Sequence, residues 1–140
     1  MKKNLVMICM LMIVCMSVFA EKGDRWVECY KDSDRYVVFD VQTFTITKED
    51  SILVWEKTTY AKPLFKVNKK DVCSDLARTE YRKNGTFGLK SSTYYDKNGK
   101  VIFTHSYKDD EIMWTDIHPG SIVEAKLELY LKIVENIPKK

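Results

Sequence analysis

The segment Ser51–Tyr60, SILVWEKTTY, decides the fold because it carries the clearest strand pattern in the chain. Ile52 and Val54 alternate with Leu53 and Trp55, and this period of two is the one that side chains follow along a β-strand. One side of the strand presents Ile52, Val54, Glu56, Thr58 and Tyr60, and the other presents Leu53 and Trp55. The alternation therefore predicts a strand with two distinct faces.

Further strand-like runs lie on both sides of this segment. Arg25–Tyr30 (RWVECY) and Tyr36–Asp40 precede it and are rich in aromatic and β-branched residues. After it, Asn84-Gly85 and Asn98-Gly99 are two hairpin signals, because glycine adopts the positive φ that a tight turn needs. The two hairpins predict a meander of three strands: Leu76–Arg82, Gly88–Asp96 and Lys100–Tyr107.

The last part of the sequence has a helical period. Val123, Leu127, Tyr130 and Val134 recur at helical spacing, and Pro138 is expected to end the helix. The apolar stripe of this helix must be buried, and the only surface available is one face of the sheet. We therefore predict an α+β fold, with a single antiparallel sheet of about six strands and a C-terminal α-helix packed on it.

The residues before this helix raise the question of a hydrolytic site. Ser121 directly precedes the apolar helical run and Glu124 follows three residues later, which is the spacing of a capping box. A nucleophilic Ser121 with His118 as base and Asp116 as orienting acid is the rival interpretation. Proximity in sequence does not support a triad, and no Gly-x-Ser-x-Gly motif surrounds the serine. We interpret Ser121 and Glu124 as a helix cap.

The N-terminus has the pattern of a secretory signal peptide. Lys2 and Lys3 precede an unbroken apolar run, and a cleavage site follows at Ala20. We expect residues 1–20 to be removed, leaving one domain over residues 21–140 with no membrane span. The leader carries two lysines and no acids, so its loss lowers the net charge from +3 to +1. This near balance argues against a nucleic-acid partner.

Two cysteines, Cys29 and Cys73, remain after removal of the leader. In an oxidising exported compartment two cysteines most simply form one disulfide. A pair of buried free thiols is the alternative. The sequence therefore predicts a bridge and leaves the free thiols open.

Other candidate sites have weak patterns. His105 and His118 lack metal-ligand spacing, and the acidic run 109–111 lacks the alternating ligands of a calcium loop. The chain has no glycine-rich phosphate loop, so we expect neither a metal nor a cofactor. We expect most of the three tryptophans to lie in the core. They are Trp26, Trp55 and Trp114.

Two groups of lysines are weak candidates for partner binding. Lys66, Lys69 and Lys70 form a small basic patch, and so few charges favour a simply solvated connection over contact with an anionic surface or polysaccharide. Lys139 and Lys140 end the chain, and a partner that captures a terminal lysine would recognise them. We therefore expect a solvated connection at the first group, with binding of an anionic surface as its alternative, and keep a protein partner as a hypothesis for the second.

Several motifs, in their order along the chain, match a known family. They are RWVECY, TITKEDSILVWEKTTY, DVC at Cys73, STYYDKNGKVIF and IMWTDIHPGSIVEAKLELYLKIVEN. In these motifs the chain resembles the surface-adhesin protein E-like family of small exported bacterial domains. The resemblance implies a curved antiparallel sheet of about six strands with the helix on its concave face, and it brings no catalytic residues.

The chain departs from the family pattern in two places. Members of the family can tether the helix with a cysteine near its end, where this chain has Leu129 to Val134. The resemblance therefore implies that Cys73 pairs with Cys29. A lipoprotein signal is also missing, because Cys15 follows Val14 rather than a small residue.

Three functional hypotheses follow from these observations. The leading one is an exported, non-enzymatic binding module with adhesin-like attachment to a host extracellular-matrix or serum protein. The alternative is a periplasmic structural module, or one that holds a small ligand between helix and sheet. An enzyme ranks last because no catalytic set converges. The partner is expected to be a host or envelope protein, and the sequence leaves open a homodimer and the choice among periplasm, medium and cell surface.

Overall fold

The computed structural model describes residues 25–137. The predicted signal peptide, Pro138, Lys139 and Lys140 lie outside this range. Within it, no helix combines the length and the hydropathy that a bilayer crossing requires. The elements are β1 Trp26–Lys31, β2 Arg35–Asp40, β3 Thr45–Ile46, β4 Ile52–Tyr60, β5 Lys66–Val67, β6 Lys70–Asp71, β7 Ser74–Tyr81, β8 Thr86–Tyr95, β9 Val101–Ser106, a short 3-10 helix Asp109–Glu111, β10 Thr115–Asp116 and α1 Ile122–Glu135.

The described strands form one main antiparallel sheet and a small hairpin. The main sheet runs in the order β1-β2-β4-β7-β8, with β9 and β10 both pairing with β8 and β3 pairing with β4. Its six longer strands agree with the predicted number, and β3 and β10 are two-residue additions. The separate hairpin β5-β6 lies in the connection between β4 and β7. The α+β fold class is confirmed.

The two Asn-Gly turns fix the register of the meander β7-β8-β9. Gly85 and Gly99 have φ values of 81° and 75°, the left-handed region that favours glycine. At the second turn the Asp96 carboxylate accepts the backbone N–H groups of Asn98 and Lys100, at 2.9 and 3.0 Å. The chain therefore reverses where the sequence predicts it.

One face of the sheet, here called the helix-covered face, carries the core. The inward side chains of β2, β4 and β7 include Phe39, Val54 and Tyr81, each at most 2 % exposed. Tyr130 of α1 is fully buried against them, with ring centroids 5.2 Å from Phe39 and 5.4 Å from Tyr81. The helix is thus held mainly by aromatic packing on the sheet.

The cap of α1 has a variant geometry. The Ser121 hydroxyl accepts the backbone N–H of Glu124 at 3.2 Å, which is the N-cap bond. The Glu124 carboxylate accepts the N–H of Gly120 at 3.1 Å rather than that of Ser121. The N–H of Ser121 instead donates to the carbonyl of His118 at 3.2 Å. The helix ends at Glu135, with Asn136 as its C-cap.

The structure differs from the predicted disulfide, since Cys29 and Cys73 are both free thiols. Cys29 lies on β1 and Cys73 directly precedes β7, so two strands, β2 and β4, separate them. At about 4.8 Å for each interstrand spacing the two positions are roughly 14 Å apart. A disulfide requires Cα atoms within about 7 Å. Strand order, which cysteine spacing does not encode, rules the bridge out.

Candidate functional site

The face of the sheet opposite α1, here called the open face, is the candidate surface. Its outward residues share rows across the strands, and Tyr36, Thr59, Ser74 and Tyr95 form one such row. A groove of about 470 Å³ runs along this row and also contacts Trp26, Val38, Lys57 and Leu76. The volume lies within the range of ligand-binding clefts. The open face can therefore hold a ligand or a partner segment.

Aromatic side chains on this face contact solvent. Trp26 is 37 % exposed and Tyr36 is 40 % exposed, and both border the groove. The expectation that most tryptophans lie in the core is wrong, because Trp26, Trp55 and Trp114 are all absent from the set of buried hydrophobic residues. The missed signal was the alternation of β4, which places Trp55 on the side opposite the buried Val54.

Three rings of the open face, Trp26, Tyr36 and Trp55, each have a cation beside them. The Arg25 guanidinium lies 5.7 Å from the Trp26 ring. The Lys31 ammonium lies 5.9 Å from the Tyr36 ring. Across the β4–β7 pair, the Arg78 guanidinium lies 5.8 Å from the Trp55 ring. These distances are near the outer limit of a cation–π contact, so the rings leave Lys31 and Arg78 able to bind an anion.

The charges of the open face are unevenly neutralised. Arg25 is bound to Asp40, with Nη2 2.6 Å from Oδ2. Burial of Asp40 opposes its ionisation, but hydrogen bonds from Arg25 and Thr43 outweigh this and lower its pKa. Three exposed cations form no ion pair with any residue in the range 25–137: Lys31, Lys57 and Arg78. The groove therefore lies near an excess of positive charge, with these three cations against one exposed acid, Glu28, among the described groove-side residues of β1, β2, β4 and β7.

The segment after β9 closes one end of the open face. Ile112 and Trp114 lie against Gly88 of β8, where an added Cβ would meet Ile112 at 2.6 Å and Trp114 at 2.9 Å. The Arg82 guanidinium stacks on the Trp114 ring at 3.2 Å. Glu80 accepts from Lys90 at 3.0 Å beside this stack. At this end, unlike in the central groove, the charged side chains are mutually paired.

A polar cluster lies beneath α1 on the helix-covered face. Glu56 is 3 % exposed and accepts from the Tyr81 hydroxyl and from the Lys126 ammonium. Burial, with Glu56 beside it, raises the pKa of Tyr81 well above its ordinary value, so that the hydroxyl stays protonated and donates. Both carboxylate oxygens have partners, so this cluster joins the helix to the sheet.

The hydrolytic alternative is not assembled around Ser121. The serine hydroxyl is engaged as the helix cap. Contact with His118 runs through the backbone, and no described hydrogen bond joins the side chains of Ser121, His118 and Asp116. Ser121 therefore acts in helix capping rather than as the centre of a triad.

The predicted basic patch lies on the small hairpin β5-β6. Lys66, Lys69 and Lys70 are all exposed there, and Lys69 has a φ of 64° in the turn. Lys66 lies 3.8 Å from the Asp71 carboxylate. The structure thus brings the three lysines onto one hairpin that does not belong to the main sheet. Lys139 and Lys140, the other candidates, fall outside residues 25–137.

The space between helix and sheet bears on the small-ligand alternative. Phe39, Phe44 and Tyr81 surround Tyr130 with ring centroids 5.2, 5.7 and 5.4 Å away. A cleft at the rim, next to Leu127, has a volume of about 180 Å³. Small-molecule sites usually measure about 300–1,000 Å³. Side chains therefore occupy the place where that alternative puts a ligand.

Comparison with known proteins gives one match. The sequence model of a family described as surface-adhesin protein E matches residues 26–130. This range begins at β1 and reaches into α1, so it includes every strand of the open face. No curated protein and no solved structure matches the chain.

Proposed function

Because this chain belongs to the surface-adhesin protein E family, we propose that it is an exported, non-enzymatic binding module that attaches to a protein of host extracellular matrix or serum. The family supports a surface adhesin-like role in general terms. We assign the attachment to the open face of the sheet.

The observation that carries this proposal is the pair of exposed rings at the central groove. Trp26 and Tyr36 keep 37 % and 40 % of their surface in contact with solvent, beside the unpaired Lys57. Tryptophan, tyrosine and arginine dominate the binding energy of protein interfaces. A cluster of such side chains on an uncovered sheet face is typical of a contact surface.

A matched pair of variants tests the role of the open face. Tyr36 and Phe103 are each 40 % exposed. The register places Phe103 in the row of Tyr94, Asp75 and Val37, so it lies on the face opposite Tyr36. The purified protein, Tyr36→Ala and Phe103→Ala are each applied to immobilised matrix and serum proteins. We expect Tyr36→Ala alone to reduce retention, and retention of none of the panel by the unmodified protein would overturn the proposal.

Location is the second test. Native cells are fractionated, and mass spectrometry identifies the fraction that holds the protein and its first residue. We expect the chain to begin at Glu21 and to reach the cell surface or the medium. Recovery in the cytoplasm with residues 1–20 attached would contradict an exported module.

A further inference from the structure

We propose that the open face binds the acidic polysaccharide of the host matrix, a sulfated chain of uronic acids, and that this sugar is what the domain recognises on a matrix partner. The inference rests on the proposed function and names the chemistry of the ligand. It uses three features of the open face: rings, free hydroxyls and unpaired cations.

The first two features, the flat rings and the free hydroxyls, form one row along the groove. Tyr36 and Tyr95 stand at the two ends of the row, with Thr59 and Ser74 between them. Three interstrand spacings separate the rings by roughly 14 Å. The Thr59 and Ser74 hydroxyls make no side-chain hydrogen bond with the described residues. A sugar chain can pack its C–H groups against the two rings and form hydrogen bonds to the Thr59 and Ser74 hydroxyls.

The third feature is the set of unpaired cations on the same face. Lys57 lies in the adjacent row between Val38 and Leu76. Lys31 lies next to Tyr36 and Arg78 next to Trp55, each within 6 Å of its ring. A sulfate or carboxylate on a sugar that lies beside either ring would therefore come close to a cation. Arginine adds a planar fork of donors that matches such oxyanions.

The charge of the open face favours an acidic glycan over two alternative ligands, a second copy of this chain and a neutral glycan. Among the residues described on the groove side of β1, β2 and β4, Glu28 is the one exposed acid, against Lys31 and Lys57. A second copy docked by the same face would oppose like charges, which is unfavourable. A neutral glycan would leave the cations without partners. An anionic chain with flat, hydroxyl-bearing units satisfies all three features.

Titration with defined polymers tests the assignment. Heparin represents the sulfated matrix chain, hyaluronan an unsulfated acidic chain, dextran a neutral chain and single-stranded DNA a different polyanion. We expect heparin to bind most tightly, dextran not to bind, and heparin affinity to fall as salt is raised. Tighter binding of DNA than of heparin would overturn the assignment in favour of a nucleic acid.

Variants separate a built site from general attraction. Lys57→Ala and Tyr36→Ala should each weaken heparin binding about fivefold or more. Lys132→Ala on α1 matches the charge change away from the open face, and Phe103→Ala matches the aromatic change; both should bind like the unmodified protein. Equal losses in Lys57→Ala and Lys132→Ala would reduce the effect to net charge and refute the site.

A last arm distinguishes this inference from the proposed function. Matrix that retains the protein is treated with enzymes that remove its acidic glycans. We expect retention to be lost. Unchanged retention would refute the glycan and leave the binding module standing, whereas no retention before treatment would refute the proposed function itself. Preferential binding to polysaccharide from the producing cells would refute the host source.

Discussion

Lys126 of α1 donates its ammonium to the carboxylate of Glu56 on β4, across the interface between the helix and the sheet. The Glu56 side chain is 3 % exposed and the Lys126 side chain 15 %. Removing one partner of a buried ion pair leaves the other charge buried and unpaired. The resulting loss of stability is larger than the net stabilisation that the intact pair provides. The position of the helix on the sheet therefore depends on a polar contact as well as on Tyr130.

The first prediction concerns this ion pair. Lys126→Met should lower the free energy of unfolding by about 3 kcal/mol, because Glu56 would remain buried and charged. Urea denaturation measures the change. Lys132→Met, an exposed lysine on the same helix, should change stability by less than about 0.5 kcal/mol. The double variant Lys126→Met/Glu56→Gln should lose less free energy of unfolding than the sum of the losses in the two single variants. Strictly additive losses would show that the contact contributes nothing to stability.

The second prediction concerns the helix cap. Ser121→Ala removes the acceptor for the Glu124 N–H and should lower the free energy of unfolding by about 1 kcal/mol. Ser106→Ala changes an exposed strand serine and is the control. Binding to matrix proteins should survive in Ser121→Ala, because α1 lies on the face of the sheet opposite the proposed binding surface. A complete loss of binding by a folded Ser121→Ala protein would mean that the serine acts beyond the cap.

The third prediction concerns the two thiols. Burial raises the pKa of Cys29 to about 11, which depletes the reactive thiolate. In the native protein iodoacetamide should therefore modify Cys73 more than about tenfold faster than Cys29. Peptide mass spectrometry measures the two rates, and in denaturant they should converge. Failure of both cysteines to react until a reductant is added would contradict the free thiols of the structure.

The fourth prediction concerns acid stability. Burial raises the pKa of Asp75, although its hydrogen bond with Tyr60 opposes the shift. The native state then binds more protons than the unfolded state at pH values above about 3.9 and below the native pKa. Through that window the contribution of Asp75 to stability falls as pH rises. The free energy of unfolding of Asp75→Asn minus that of the unmodified protein should therefore rise over the same window, and urea denaturation at several pH values measures it. A difference that is constant with pH would contradict the raised pKa of Asp75.

The fifth prediction concerns the close approach at Gly88. An added Cβ would meet the Ile112 side chain at 2.6 Å, so Gly88→Ala should lower the free energy of unfolding by about 1–3 kcal/mol. Trp114 should move off Arg82, which tryptophan fluorescence can follow. Ile112→Ala should cost less in the Gly88→Ala background than alone, because it removes one of the clashing atoms. Equal costs in the two backgrounds would mean that Gly88 is not crowded by Ile112.

Local chemistry accounts for the elements that were predicted well. The turns at Gly85 and Gly99 depend on a left-handed backbone that glycine adopts without strain. The Ser121 cap depends on two residues three positions apart. The alternation in Ile52–Tyr60 gives the two faces of β4. None of these requires knowledge of a distant residue.

Long-range arrangement accounts for what was missed. Cysteine spacing gave no information on the order β1-β2-β4-β7, which keeps Cys29 away from Cys73. The size of a tryptophan suggested the core, but α1 covers only one face of the sheet and leaves Trp26 exposed on the other. The alternation of β4 placed Glu56 among its inward side chains, but the sequence did not identify its partners. The structure shows them to be Tyr81 of β7 and Lys126 of α1.

The sequence by itself determined the six longer strands, the Asn-Gly turns, the helix and its N-cap, because each follows from the period or the backbone preference of neighbouring residues. The tertiary structure alone decided which face of the sheet the helix covers and which it leaves open. The helix lies on the face where its apolar side chains pack against the buried core and where Lys126 forms an ion pair with Glu56. The tertiary structure assembles the open face from five strands whose residues are distant in sequence, so no local pattern could reveal its rings and cations together.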